Sequence, residues 1–232
     1  MPEALASSRI ILAVDTKSLD VAKELIDKTG DYVGVYKFGL EFFLANGIEG
    51  VRSIQSYAPN ISIFLDLKLH DIPNTVAKAA ESLYSLKLKY LTVHASGGAA
   101  MVAGAAKALP DCKIVGVTLL TSIDTEELRT LGLGDSPENV VTTWAGRAVF
   151  AGARAIVASP LEVEALRKIL PRDIELITPG IRFETGQDDQ MRTMTPADAI
   201  AAGADYLVVG RPITSAPDVT EAAKRIFQSI HK

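Results

Sequence analysis

The sequence predicts an α/β protein that folds as a single (β/α)8 TIM barrel and takes in residues 1–232. Short apolar, β-branched runs recur eight times, amphipathic segments separate them, and nearly every apolar run ends in polar or glycine-rich residues. Near-continuous apolar runs are typical of parallel strands that are buried on both faces. A chain that alternates strand and helix about eight times over this length is best explained by a barrel.

The eight predicted strands are spaced so that a helix fits between most neighbours. In chain order they are RIILAVD (9–15), YVGVYKFG (32–39), ISIFLDLK (61–68), YLTVHASGG (90–98), KIVGVTLLTS (113–122), ARAIVASP (153–160), IELITPGIR (174–182) and YLVVGRP (206–212).

Helices are predicted in the segments between the strands, for example SLDVAKELIDKTG (18–30), TVAKAAESLYSLK (75–87) and SPLEVEALRKIL (159–170). Ser18 and Thr75 are predicted N-caps, because a hydroxyl there can accept a hydrogen bond from an unpaired N–H of the first turn. Gly30 is a predicted helix stop. The main rival fold is an open doubly wound sheet, but no GxGxxG follows the first strand.

Composition excludes several classes of protein. A net charge of −4 and a pI near 5.5 argue against a nucleic-acid binder. The single cysteine, Cys112, cannot form an internal disulfide, which fits a reducing compartment. The first ten residues contain no apolar signal core, and no apolar run reaches the roughly 18 residues that span a bilayer. We therefore expect a cytoplasmic protein with no membrane partner.

Charged side chains stand at the ends of several predicted strands. Asp66 and Lys68 share a strand face because side chains two apart point the same way, and Asp71 follows beyond the strand. Asp15 and Lys37 end two other strands, and the carboxyl ends of barrel strands meet at one mouth. A structural salt-bridge network is one explanation. A catalytic set is the other, and we favour it because two lysines alternate with three carboxylates.

Such a set favours a particular chemistry. The lysines stabilise the neighbouring carboxylates as anions, and the carboxylates keep the lysines charged. A rigidly held ammonium group can deliver a proton to a carbon that becomes basic. It is a poor Schiff-base nucleophile, because that role needs a neutral amine.

A phosphate site is predicted at the end of the chain. Pro179 and Arg182 follow the seventh predicted strand, and Gly210 and Arg211 follow the eighth. Barrel enzymes often bind phosphate in the loops after these strands. Gly210 lets a phosphate approach the backbone closely, and Arg211 can bind it through two hydrogen bonds.

At these residues the chain closely resembles the orotidine 5′-monophosphate decarboxylase family. The most specific stretch is FLDLKLHDIPNTV (64–76), and the resemblance runs from residue 11 to the C-terminal helix. Supporting motifs occur in family order: AVD (13–15), YKFG (36–39), VHASGG (93–98), LTS (120–122), PGIR (179–182), DQxRxMTP (189–196) and VGRPIT (209–214).

The resemblance implies a cofactor-free and metal-free enzyme that converts orotidine 5′-monophosphate to UMP and CO2. By resemblance, Lys68 is the proton donor to C6, and Asp66 faces the departing carboxylate. The other implied site residues bind ribose, pyrimidine or phosphate: Asp15, Lys37, Thr121, Pro179, Arg182, Gln190, Gly210 and Arg211. The resemblance also implies a homodimer in which Asp71, Ile72 and Thr75 reach the site of the partner subunit.

Three alternatives remain open at this point. A metal-assisted sugar-phosphate decarboxylase or synthase of the same superfamily shares a D-x-K-x-x-D core, but it would need magnesium. A class I aldolase would need a neutral lysine, which the surrounding carboxylates disfavour. A non-catalytic phosphate-binding barrel would keep Gly210 and Arg211 but has no use for the charged set.

Overall fold

A computed structural model describes residues 8–182 and 193–230 of the chain. Eight parallel strands form a closed barrel, as the sequence predicts. The strands are β1 (Ile10–Ala13), β2 (Val35–Gly39), β3 (Ser62–Leu69), β4 (Tyr90–His94), β5 (Lys113–Val117), β6 (Ala155–Val157), β7 (Glu175–Thr178) and β8 (Tyr206–Val209).

Each strand pairs with its neighbours in sequence, and β1 closes the barrel by pairing with β8. Ile11 lies opposite Val35 on one side and opposite Val208 on the other. Closure pairs each of these eight strands on both sides, so the barrel itself has no exposed edge.

The described α-helices lie between the strands, and the last two follow β8. They are α1 (Leu19–Thr29), α2 (Leu40–Tyr57), α3 (Pro73–Ser82), α4 (Ala99–Ala108), α5 (Thr125–Thr130), α6 (Pro137–Phe150), α7 (Val163–Ile169), α8 (Pro196–Ala201), α9 (Arg211–Thr214) and α10 (Val219–Ile230). Within the described ranges no helix is both long enough and apolar enough to cross a bilayer.

The helix boundaries correct one prediction. Ser18 is the N-cap of α1, where its hydroxyl accepts from the Val21 N–H at 3.3 Å, and α1 ends before Gly30, as predicted. Thr75 is not an N-cap, because α3 begins two residues earlier at Pro73. Proline fits this first position, since it lacks the N–H that would be unpaired there.

Two buried layers hold the barrel together. Alternate strand residues point inward and form one cluster, which contains Ile11, Val35, Phe64, Tyr90, Val115, Ala155 and Ile177. The other strand residues face the helices and join a larger cluster, which includes Leu12 and Leu65. The barrel interior is therefore filled with side chains and closed to solvent in its middle.

The amino-terminal end of the barrel is closed by polar groups. The Glu175 carboxylate accepts a hydrogen bond from the Tyr90 hydroxyl at 2.8 Å and one from Lys113 Nζ at 2.7 Å. These three residues begin strands β7, β4 and β5. The Tyr90 ring lies 5.3 Å from that of Phe64, which lines the cavity at the opposite end.

Candidate active site

A cavity of about 500 Å³ opens at the carboxyl ends of the strands. Its wall combines apolar side chains with a charged set. Nine residues singled out from the sequence line it: Asp15, Lys37, Asp66, Lys68, Thr121, Pro179, Arg182, Gly210 and Arg211. The barrel thus brings together residues that are almost 200 positions apart in the chain.

Four of the charged side chains form a continuous row. Lys37 Nζ lies 3.6 Å from an Asp15 oxygen and 3.2 Å from Asp66 Oδ2. Lys68 Nζ donates to the other Asp66 oxygen, Oδ1, at 2.8 Å. The charges therefore alternate across the cavity floor, and each ammonium group contacts a carboxylate.

The two ends of this row are more exposed to solvent than its middle. The side chains of Lys37 and Asp66 are each 11% exposed, whereas the Lys68 side chain is 33% exposed and that of Asp15 is 59% exposed. The middle of the row is thus buried, and Lys68 keeps a face open to the cavity.

Asp66 is an anion despite its burial. Burial by itself would raise the pKa of this carboxyl, but the charges of Lys37 and Lys68 outweigh that effect. Hydrogen bonds from Lys68 and Thr92 act in the same direction, so the pKa of Asp66 lies below its usual value. Asp66 therefore keeps its charge at neutral pH.

Lys68 has an unusual backbone. Its φ is +49°, in the left-handed region that side chains other than glycine rarely adopt. The pairing of β3 with β4 shifts at the same place, between Leu65 and Leu69. The Lys68 N–H donates to the hydroxyl of Thr92 on β4 at 2.8 Å. This irregularity turns the Lys68 side chain relative to a regular strand.

Thr92 is a site residue that the sequence analysis missed. Its hydroxyl accepts from Lys68 and donates to Asp66 Oδ1 at 3.0 Å. The available signal was one polar residue inside the apolar run YLTVH. That signal cannot be interpreted before the strand register is known, because threonine is common in strands.

Two histidines lie beside this group. The rings of His70 and His94 are 5.3 Å apart. Burial lowers the pKa of His94, and the neighbouring His70 and Lys68 lower it further. His94 therefore adds no strong positive charge next to Lys68 at neutral pH.

The predicted phosphate residues lie at the ends of β7 and β8. Gly210 precedes the short helix α9, and Arg211 is its first residue. A methyl group at Gly210 would meet only Ala13 Cβ, at an ordinary 3.5 Å. Gly210 lines the cavity, so a ligand there can approach its backbone closely. Gln190 lies outside the described residues.

Asp71, Ile72 and Thr75 do not line the cavity of their own chain. All three are exposed, and Ile72 is 66% exposed. The Asp71 carboxylate accepts the Ile72 N–H at 2.6 Å, which fixes its orientation at the surface. The sequence singled out these residues as members of the site, and a single chain leaves them outside it.

The described part of the chain offers no cluster of metal-ligating side chains. There, no three or more His, Cys, Asp or Glu side chains come together in a way that could hold a metal ion. In the charged row each aspartate already faces a lysine ammonium group.

Fold and site together define a class: a TIM-barrel enzyme with a lysine–aspartate row at the mouth and arginines beside the last two strands. Comparison with known proteins narrows this class. The family model described as "Orotidine 5′-phosphate decarboxylase / HUMPS family" matches residues 8–226. The chain therefore belongs to the orotidine 5′-phosphate decarboxylase / HUMPS family.

Individual relatives agree with the family assignment. Orotidine 5′-phosphate decarboxylase of Wolbachia sp. subsp. Brugia malayi is 44% identical over 95% of this chain and 98% of its own length. The enzyme of the same name from Sphingopyxis alaskensis is 47% identical over 95% and 98%. The crystal structure of the Lactobacillus acidophilus orotidine 5′-phosphate decarboxylase aligns with a TM-score of 0.84 at 34% identity, covering 97% of this chain and all of that one.

Proposed function

We propose that the chain is a carboxy-lyase that converts orotidine 5′-monophosphate to UMP and CO2, the last step of de novo pyrimidine nucleotide synthesis. The observation that carries this proposal is the alternating row in which Lys68 Nζ bonds Asp66 and still opens into the cavity. The family membership and the names of the relatives support the same reaction.

The chemical difficulty lies at C6 of the pyrimidine ring. When the bond from C6 to the carboxyl group breaks, CO2 leaves and the electron pair stays on C6 in the ring plane, where no π system accepts it. A fixed ammonium group beside C6 stabilises this developing carbanion more than it stabilises the starting carboxylate. Lys68 then gives an N–H proton to C6, and its amine regains a proton from solvent.

Asp66 has two effects in this proposal. It holds the Lys68 ammonium group in place, and its own charge lies near the substrate carboxylate, which the reaction removes. The first effect rests on the 2.8 Å bond between the two side chains. The second effect is electrostatic repulsion between Asp66 and the substrate carboxylate, which acts once the nucleotide is bound.

The rest of the cavity binds the nucleotide. We assign Asp15 and Lys37 to the ribose hydroxyls, and Thr121 and Pro179 to the pyrimidine. Gly210, Arg211, Gln190 and Arg182 are assigned to the phosphate. Binding energy from the phosphate, remote from C6, offsets the cost of holding the substrate carboxylate next to Asp66.

We further propose a homodimer with shared sites. Asp71, Ile72 and Thr75 lie outside the cavity of their own chain, and the exposed Ile72 side chain would gain from burial against a second copy. In such a dimer Asp71 completes the charged row of the other subunit.

Mixing two inactive variants tests this arrangement. Lys68→Ala and Asp71→Asn each disable a site, but a hybrid dimer places both changes in one site and leaves the other intact. Random reassembly of equal amounts should restore about a quarter of the wild-type activity. A mixture that stays inactive after subunit exchange has been demonstrated, for example by mass spectrometry, would contradict shared sites.

A direct assay tests the reaction itself. Purified protein, treated with EDTA and dialysed, should deplete the absorbance of orotidine 5′-monophosphate while UMP and CO2 form in equal amounts. Activity that disappears with EDTA and returns with Mg²⁺ would favour the metal-assisted sugar-phosphate alternative. A protein that binds UMP but leaves the substrate unchanged would favour the non-catalytic phosphate-binding barrel.

A further inference from the structure

We infer that Thr92 is a positioning residue, which holds Lys68 and Asp66 in their working geometry through a single buried hydroxyl. The inference rests on the proposed function for its kinetic consequences, but the geometry behind it stands independently. Thr92 lies on β4, is fully buried, and does not line the cavity.

The hydrogen bonds of Thr92 have one possible direction. Ionised Asp66 can only accept, so the hydroxyl gives its one proton to Oδ1 at 3.0 Å. The Lys68 backbone N–H can only donate, so it must use a lone pair of the same oxygen, at 2.8 Å. One atom therefore links the backbone of the lysine to the carboxylate that its side chain also contacts.

The strand register explains why this position matters. Leu65 pairs with Leu91, and Leu69 pairs with Val93. Three residues of β3 therefore lie opposite a single residue of β4, and that residue is Thr92. The irregular strand cannot use the usual ladder of backbone hydrogen bonds here, and the Thr92 hydroxyl supplies the partner for the Lys68 N–H instead.

The backbone of Lys68 needs such support. A residue other than glycine in the left-handed region is strained and persists only where its surroundings hold it. Lys68 has φ +49°. Threonine suits the task because its branched Cβ restricts the side chain to few rotamers, so the hydroxyl is held in one place.

Asp66 depends on the same hydroxyl. Its Oδ1 accepts from both Lys68 Nζ and Thr92, while Oδ2 faces Lys37. Without Thr92 the carboxylate could rotate about its last bond, and the Lys68 ammonium group would follow it. A displacement of about 1 Å at a reacting group can cost on the order of 100-fold in rate.

Replacement of Thr92 by valine tests this inference, since valine keeps the shape and removes the hydroxyl. We expect kcat for orotidine 5′-monophosphate to fall about 10- to 100-fold with KM changed less than about threefold. Thr92→Ser, which keeps the hydroxyl, should restore kcat to within about threefold of wild type. If Thr92→Val does not fold, Thr92→Cys replaces it with the same expectation, because a thiol is weak as donor and as acceptor.

A matched control comes from the next strand. Thr118 is equally buried, and its hydroxyl donates to the Val157 backbone carbonyl at 2.9 Å instead of to a charged side chain. Thr118→Val should therefore lower stability by a similar amount and leave kcat within about twofold. Equal losses of kcat in the two variants would overturn the inference, because general destabilisation would then explain both.

A second readout does not depend on activity. The Thr92 bond is one of the causes that lower the pKa of Asp66, so Thr92→Val should raise that pKa in a carboxyl ¹³C NMR titration, and Thr92→Ser should not. The acid limb of the kcat/KM profile, which reports groups of the free enzyme, should also move to higher pH. An unchanged pKa and unchanged kcat in folded Thr92→Val would overturn the inference. Failure of wild type to turn over would overturn the proposed function, and the titration would still decide the role of Thr92.

Discussion

Two ammonium groups and one hydroxyl contact the two carboxylate oxygens of Asp66. Lys37, Lys68 and Thr92 all lie within 3.2 Å of them. An isolated carboxylate as buried as this one would cost several kcal/mol, and paired ammonium groups offset that cost. The same pairing fixes the position of the Lys68 ammonium group. One set of contacts therefore stabilises the buried Asp66 carboxylate and orients the proposed proton donor.

At the residue scale the central prediction concerns Lys68. Lys68→Ala should lower kcat/KM by at least about 10³-fold, because the variant has neither the fixed charge nor the proton. It should still fold, since Asp66 keeps Lys37 and Thr92 as partners. Stopped assays and a circular dichroism melt check both expectations.

The matched control for this change is Lys28→Ala. Lys28 forms an exposed pair with Glu24 on α1, away from the cavity, and its loss should leave kcat/KM unchanged. A residual rate above about one tenth of wild type in Lys68→Ala would remove Lys68 as the acid.

Arg211 tests the phosphate assignment. Arg211→Ala should cost about 2–4 kcal/mol in kcat/KM, the scale of a lost charged hydrogen bond in a binding site, which is about 30- to 900-fold. The nucleoside orotidine, which has no phosphate, serves as the control substrate, and its slow turnover should not change. Wild-type kcat/KM for the nucleotide in this variant would contradict the assignment.

At the scale of the secondary-structure element, the sequence predicts where the strands lie but not where their pairing is irregular. Apolar β-branched runs predict all eight strands, and Ser18 predicts the start of α1. Thr75 is not an N-cap because the helix already begins at Pro73. The Ile72–Pro73 dipeptide in the sequence indicated this start, because the residue before a proline disfavours helical geometry. The Lys68 irregularity could not be predicted, because it depends on the register between two strands.

Helix capping gives a stability prediction at this scale. Ser18→Ala removes the acceptor for the Val21 N–H and should lower the free energy of unfolding by about 1 kcal/mol. Ser82→Ala is the control: it is also an exposed serine, but its hydroxyl donates to Ala79 inside α3. Urea melts should show less than about 0.5 kcal/mol for the control, and equal losses would argue against a cap at Ser18.

At the scale of the whole molecule, the two ends of the barrel have separate tasks. The carboxyl ends of the strands carry the cavity, and the amino-terminal end carries the group formed by Tyr90, Lys113 and Glu175. In barrel enzymes polar groups at the second end contribute to stability and leave the chemistry alone.

Glu175→Gln tests this separation. The change removes the ion pair with Lys113 and keeps an acceptor for the Tyr90 hydroxyl, so we expect a loss of about 1–2 kcal/mol in unfolding free energy. Below the melting temperature, kcat should stay within about twofold of wild type. A large fall in kcat without a change in stability would show that the two ends are coupled.

The structure of the whole molecule also shows which features could not be predicted from one sequence. The recurring apolar runs were sufficient to predict the barrel, and the residues at the strand ends include nine of the residues that line the cavity. Asp71, Ile72 and Thr75 lie exposed and outside the cavity of their own chain, and their membership of a site is part of the proposed dimer. Thr92 was missed for a different reason: its role follows from a three-dimensional register, and its residue type is ordinary for a strand.

The most direct test is a crystal structure with a UMP analogue that carries an oxyanion at C6, in place of the carbanion. The proposed mechanism places Lys68 Nζ about 2.7–2.9 Å from that oxygen, with its bond to Asp66 retained. A structure in which Nζ turns into bulk solvent, or binds the phosphate at the far end of the cavity, would contradict it.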